Sequence, residues 1–166
     1  MNTQTTIRQA DNLDIPIIVN ILRDAFADVA QRFALTPRNC PKNLAFCNDQ
    51  RIEDDFARDL KYYILEQAGR PLGCVAMEKA GPDFCYLARL AVLPDHRRKG
   101  LGAALVNHIF DEAAKFQMQR VEIGIISEDT TLKDWYRKFG FIEKTTKQFD
   151  HLPFVVAFLY AELPET

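Results

Sequence analysis

No stretch of this 166-residue chain is long and apolar enough to cross a bilayer, and Met1-Asn2-Thr3-Gln4-Thr5-Thr6 is polar where a secretory signal would be apolar. Both absences predict a cytoplasmic protein. A basic excess is missing as well: 21 Lys and Arg face 23 Asp and Glu, for a formal charge of −2. Neither nucleic acid nor an anionic membrane is therefore expected as a partner. The four cysteines, Cys40, Cys47, Cys74 and Cys85, never take the Cys-x-x-Cys spacing of a zinc or redox centre, and His96, His108 and His151 share no ligand spacing, so no metal is implied. Cys74 and Cys85 lie in apolar runs and read as small buried hydrophobes. Cys40 and Cys47 flank a loop and read as exposed thiols, with a disulfide between them disfavoured in a cytoplasmic protein. Repeats, low-complexity segments and linkers are lacking, and the length suits one domain, residues 1–166, with a sizeable core.

What is present is a regular alternation of patterns. Residues 5–8 read as a strand. Asp14 then caps a helix with Pro16 in its first turn, where a missing N–H costs little. Ile17, Ile18, Ile21, Leu22, Ala25 and Val29 recur at helical spacing and form its core face. Residues 35–48, with two prolines and several asparagines, read as a loop, and residues 50–59 as a short acidic helix. Strands at 62–66 and 72–78 form a hairpin, and a turn at 80–83 leads into a strand at 84–93. Leu101, Leu105, Ile109, Ala113 and Phe116 mark one face of an amphipathic helix. A strand at 120–126, a helix at 132–139 and strands at 142–149 and 154–162 complete the chain. The expected class is α/β (α+β): a mixed, mostly antiparallel sheet feeding one strand-helix-strand unit.

The most informative stretch runs from Leu90 to Leu105. Leu90-Ala91-Val92-Leu93 ends at Pro94, turns through Arg97, Arg98 and Lys99, and enters a helix through Gly100-Leu101-Gly102-Ala103. Glycines without Cβ let an anion approach the main chain, and the free N–H groups of the helix start point at it. The three cationic side chains would add mobile cover. By itself the motif leaves two readings open, an anion site or a solvated basic turn. A P-loop is excluded because the lysine precedes the glycines, and a Rossmann fingerprint because the third glycine is missing.

The remaining match, Arg-x-x-Gly-x-Gly after Leu-Ala-Val, resembles the GNAT acetyltransferase superfamily. A second landmark supports it. Trp135-Tyr136-Arg137-Lys138-Phe139-Gly140-Phe141 is similar to the family's apolar-Tyr pair followed by Gly-Phe, with a helix and a strand between the two landmarks. The resemblance covers the chain from about Phe84 onward. It implies the acyl-CoA N-acyltransferase fold, in which the strands at 84–93 and 120–126 run parallel at the centre and splay apart, with helices flanking the sheet. It further implies acetyl-CoA as co-substrate. Its pyrophosphate would lie on Arg97, Arg98, Lys99, Gly100, Leu101, Gly102 and Ala103, and its pantetheine arm along Leu90, Ala91 and Val92. Tyr136 occupies the position of the general acid, and the helical spacing of Leu132, Trp135, Tyr136 and Phe139 equally allows plain packing.

Amide formation from a thioester and an amine needs a neutral amine, a donor for the developing oxyanion and a proton for the leaving thiolate. Backbone N–H groups at Leu90-Ala91-Val92 suit the second task. For the first, both positions where relatives carry a carboxylate lack one, being Tyr86 and Gly124. A water relay off Tyr86 or Glu122, or no dedicated base, remains. Asp129 stands where relatives carry a cofactor-contacting asparagine, and reads as a cap for the helix beginning at Thr130. The resemblance places acceptor specificity in residues 26–55 and the turn 150–153. Asp49, Glu53, Asp54 and Asp55 in the former read as a solvated acidic face. The expected acceptor is a small-molecule or peptide amine, the expected state a monomer or homodimer, and the alternative function a catalytically weak acyl-CoA-binding sensor.

Overall fold

The computed structural model describes residues 4–165. Met1, Asn2 and Thr3 of the polar N-terminus read above, and Thr166, lie outside them. Seven strands form one sheet: β1 (Thr5–Gln9), β2 (Lys61–Gln67), β3 (Arg70–Lys79), β4 (Phe84–Val92), β5 (Arg120–Ile126), β6 (Ile142–Gln148) and β7 (Val155–Glu162), in the order β1-β2-β3-β4-β5-β7-β6. Four helices accompany them: α1 (Ile15–Arg32), α2 (Asp49–Ala57), α3 (Leu101–Lys115) and α4 (Thr130–Arg137). Short 3-10 turns at Asn12–Asp14, Leu44–Phe46 and Pro94–His96 were not legible in the periodicity.

β2 and β3 are buried on both faces, so their sequences run apolar rather than alternating. One face of the sheet receives Ile18, Ile21 and Leu22 of α1 and Ile52 of α2, and the other Leu101, Leu105, Ile109 and Ala113 of α3. Asp11 and Asp14 form a reciprocal capping box on the 3-10 turn that leads into Pro16. Asp14 stands at the N-cap of α1 as expected but makes no side-chain cap there, because its carboxylate accepts from Arg8 and from the Asp11 N–H instead. Helix α2 ends at Ala57, two residues short of the expected Asp59, which takes a left-handed φ of +67°. Phe116, expected on the core face, lies beyond the end of α3 and is 39% exposed. Cys40 and Cys47, expected in solvent, are buried and free. The segment after α1 is an apolar packing layer rather than a loose loop: Leu35 and Cys40 share a cluster with Ile126, Leu152 and Phe154.

Among the described residues only β4 and β5 run parallel, and α3 provides the long crossover that such a pair requires. Their pairing lasts three positions, Phe84 with Arg120, Cys85 with Val121 and Tyr86 with Glu122. Beyond that the two strands part. β5 remains paired with β7 over its whole length, and β4 with β3, so the gap opens at the centre of the sheet.

Candidate active site

The gap begins with a defect in β4. Cys74 pairs with Ala91 and Ala76 with Ala88, so three steps on β4 oppose two on β3. The extra residue makes a β-bulge, and Arg89 within it takes φ +56°. That conformation costs a residue with a side chain about 1–3 kcal/mol. Gly73 makes room for it, because a Cβ there would lie 2.8 Å from the Ala91 carbonyl oxygen. The bulge turns Leu90 and Val92 toward the α3 side while Ala91 packs with α1.

After Val92 the chain enters the basic turn. Arg98 at φ +63° and Gly100 at φ +80° fold it back onto the start of α3. Gly100 is the N-cap and supplies no side-chain cap. Ala104 N–H donates to the Gly100 carbonyl at 3.1 Å, so the N–H groups of Leu101, Gly102 and Ala103 precede the first internal bond. With the positive end of the helix behind them, these donors have no intrahelical partner and suit an anion. The cationic cover differs from expectation in one respect. Arg98 and Lys99 are exposed, but Arg97 is pinned: its guanidinium donates to the Ala25 carbonyl at 2.6 Å, to the Val92 carbonyl at 3.3 Å and to Asp28 at 3.1 Å. Arg97 therefore staples the turn to α1.

Gly102 faces an aromatic wall. A Cβ on it would lie 3.2 Å from Cζ2 of Trp135, so α4 packs directly on the start of α3. Trp135 meets Tyr136 edge to face at 5.0 Å, and Tyr136 meets Phe141 at 5.4 Å. Tyr136 belongs to the same core cluster as Leu101, Leu105 and Ile125. It is 5% exposed, and burial raises its phenol well above the ordinary range. No hydrogen bond to its hydroxyl occurs among the described residues, and the fully enclosed unpartnered polar atoms are His96 Nδ1 and His108 Nε2. What accessibility Tyr136 retains thus includes its oxygen. Asp129 is the N-cap of α4 as expected, its Oδ1 accepting from Leu132 N–H at 3.2 Å, and its Oδ2 also accepts from Arg32 at 3.3 Å.

A Cβ at Gly124 would lie 3.3 Å from the Phe158 ring and 3.4 Å from Val156, so a carboxylate there would require these β7 side chains to give by a few tenths of an ångström. Glu122 sits in register with Tyr86 where the strands part and is 3% exposed. Both its oxygens are occupied, by Arg120 Nε at 2.6 Å and Lys144 Nζ at 3.4 Å. Tyr86 is half-buried with its ring edge-on to Phe84.

Sequence reasoning missed Gly73, Arg89, Trp135 and Asp55 as parts of this site. Asp55, read as solvated, is 1% exposed and bonds Arg89, Arg58 and Tyr62. The signal was available: Asp55 follows the buried Ile52 by three residues, which places both on one helix face.

The bulged central strand, the splayed parallel pair and the uncapped helix start carrying Gly100 and Gly102 are together the architecture that the resemblance implied. The chain belongs to the acetyltransferase (GNAT) family, whose model matches residues 22–141. An uncharacterized N-acetyltransferase of Schizosaccharomyces pombe is 29% identical over 114 residues, covering 63% of this chain and 69% of that one. The amino-acid acetyltransferase of Actinobacillus pleuropneumoniae is 26% identical over 148 residues, covering 89% of this chain but only 29% of that longer protein. Among solved structures, the ribosomal-protein-S18-alanine N-acetyltransferase from Escherichia coli shares the fold with a TM-score of 0.78 at 19% identity, over 98% of this chain and 96% of that one.

Proposed function

We propose that the protein transfers the acetyl group of acetyl-CoA to a primary amine by direct attack in a ternary complex. The observation that carries this is the junction of the β4 bulge with the uncapped start of α3, beside a buried tyrosine whose hydroxyl has no partner among the described residues. The N–H groups of Leu101, Gly102 and Ala103 hold the pyrophosphate, with Arg98 and Lys99 as exposed cationic cover, while Arg97 holds the turn itself. The pantetheine arm runs along Leu90, Ala91 and Val92. The amine nitrogen bonds to the thioester carbonyl carbon, a main-chain N–H of the bulge receives the oxyanion, and the C–S bond then breaks. Tyr136 donates its proton to the departing sulfur as negative charge develops there, the nitrogen sheds its surplus proton to water as the amide forms, and water returns a proton to the phenolate.

With Glu122 held by Arg120 and Lys144 and a glycine at position 124, the acceptor's own acidity matters. Neutralising a lysine amine of pKa near 10.4 at pH 7 costs about 4.6 kcal/mol, whereas an α-amine near 8 costs about 1.4 kcal/mol. This favours an α-amine, on an amino acid or a peptide N-terminus. The similar proteins named above for amino-acid and for protein alanine acetylation accord with that preference.

The test is calorimetry with acetyl-CoA followed by thiol release against α-amines, ε-amines and polyamines. Saturable binding, and turnover fastest with α-amines, is the expected result. Binding that persists without turnover on any amine favours the sensor reading, which the occupied Glu122 and the glycine at position 124 support. No heat and no thermal shift at millimolar acetyl-CoA overturns both, since a ligand at a hundred times its dissociation constant adds about 2.7 kcal/mol to stability.

A further inference from the structure

One buried charge network takes no part in the transfer chemistry and yet grips the strand proposed to perform it. Asp55 of α2 is 1% exposed. Its Oδ2 accepts from the Tyr62 hydroxyl at 2.5 Å and from Arg89 Nε at 3.1 Å, and its Oδ1 from Arg89 Nη2 at 3.3 Å and Arg58 Nη2 at 3.0 Å. Arg89 is the left-handed residue of the β4 bulge, and its side chain is only 17% exposed. Its carbonyl accepts from the Cys74 thiol at 3.6 Å, so main chain and side chain are fixed from different elements.

A left-handed conformation at a residue with a side chain persists only where the surroundings over-determine it. Here the fork of a guanidinium meets both oxygens of a carboxylate that neither turns nor reaches water. The geometry points to Asp55 and Arg89 as positioning residues: through their ion pair, α2 fixes the bulge and with it the aim of the main-chain N–H groups of Leu90, Ala91 and Val92. Its consequence for catalysis rests on the function proposed above. Its consequence for the backbone does not.

The experiment therefore has two arms on the full-length protein. Amide hydrogen exchange without cofactor compares wild type with Asp55→Asn, which keeps the volume and loses the charge, and with Arg89→Lys, which keeps the charge and loses the fork. Residues 87–93 should exchange about tenfold faster or more in Asp55→Asn, and by a smaller factor in Arg89→Lys. α3 and β2 should keep wild-type protection. In steady state, kcat should fall by about 10²-fold, the scale of a small misplacement at the reacting centre. KM for acetyl-CoA should rise by a smaller factor than kcat falls, because the pyrophosphate turn is untouched and only the pantetheine contacts at Leu90, Ala91 and Val92 shift with the bulge. The Asp55→Asn, Arg89→Lys double variant should be no worse than Asp55→Asn alone, as residues acting as one unit are non-additive.

Unchanged exchange at 87–93 in folded variants overturns the inference. Faster exchange with unchanged kcat overturns its catalytic part. If Asp55→Asn fails to fold, Arg89→Lys decides by the same two readouts. A wild type that binds no acetyl-CoA refutes the proposed function, and the exchange arm still decides the role of the pair in the bulge.

Discussion

Tyr136→Phe separates the packing role of this residue from the chemical one more cleanly than any other substitution in the site. The ring contacts, edge to face with Trp135 at 5.0 Å and with Phe141 at 5.4 Å, survive intact. The hydroxyl makes no hydrogen bond among the described residues, so the variant loses none of the roughly 0.5–1.5 kcal/mol that a typical buried tyrosine forfeits with its oxygen. The expected change in stability is within about 0.5 kcal/mol, a shift of about 2 °C or less for a chain of this size. Tyr62→Phe is the internal control. It removes a 2.5 Å bond to the Asp55 carboxylate and should cost about 1.5–3 kcal/mol. Activity should show the reverse order of severity. Loss of a general acid costs about 10²-fold or more, about 2.7 kcal/mol of barrier, and should fall on kcat with KM little changed. Because burial holds the Tyr136 phenol far above neutrality, the wild-type rate should rise with pH as the acceptor amine loses its proton, with no downturn from the phenol up to about pH 10. Thiol release from pH 6 to 10 and thermal melts on the same samples measure all of this. A Tyr136→Phe enzyme turning over at the wild-type rate would refute the general-acid role. One that loses activity together with several degrees of melting temperature would show that the hydroxyl has structural partners after all.

Three further outcomes follow from the geometry. Gly102→Val must displace the indole that lies 3.2 Å from the new Cβ, so the emission of the single tryptophan should shift and acetyl-CoA affinity should fall by about tenfold or more; unchanged emission and affinity would show that α3 does not press on Trp135 at the cofactor turn. Arg8 hydrogen bonds hold the Asp14 carboxyl below its usual range against the opposing effect of burial. At Asp55 burial pushes up, and Arg89 and Tyr62 together outweigh it. Both groups therefore contribute stability that is complete above about pH 4 and is lost as pH falls through their depressed folded-state values. Melts between pH 6 and 2 should show this, with a flatter acid limb in Asp14→Asn; equal limbs in the two proteins would contradict it. All four thiols are buried, with Cys85 pushed up to about 11 and Cys40, Cys47 and Cys74 also raised by burial. A disulfide reagent at pH 8 should titrate none of them in the native protein and four in denaturant, and one fast native thiol would show that a cysteine segment opens.

The order of elements, the strand-helix-strand unit and the glycine-bearing helix start were legible in the sequence because they are local. Period-two and period-3.6 patterns, proline stops and glycines at fixed offsets act over a few residues. The second landmark was equally local, and the pair of them sufficed to recognise the family. The site's support was not legible, because its partners are far apart in the chain. Asp55 and Arg89 are separated by 34 residues, and Arg97 reaches back 72 to the Ala25 carbonyl. A charge on a short acidic helix reads as solvated until the fold buries it against another charge, and a basic turn reads as mobile until a helix passes beside it. Gly124 shows the same division. The absence of a carboxylate there is read from one letter, whereas the crowding at that position arises from the pairing of β5 with β7, which lays Phe158 and Val156 across it. Local pattern specifies which element a residue joins, whereas burial and charge pairing depend on which elements meet, and that is a property of the packed chain.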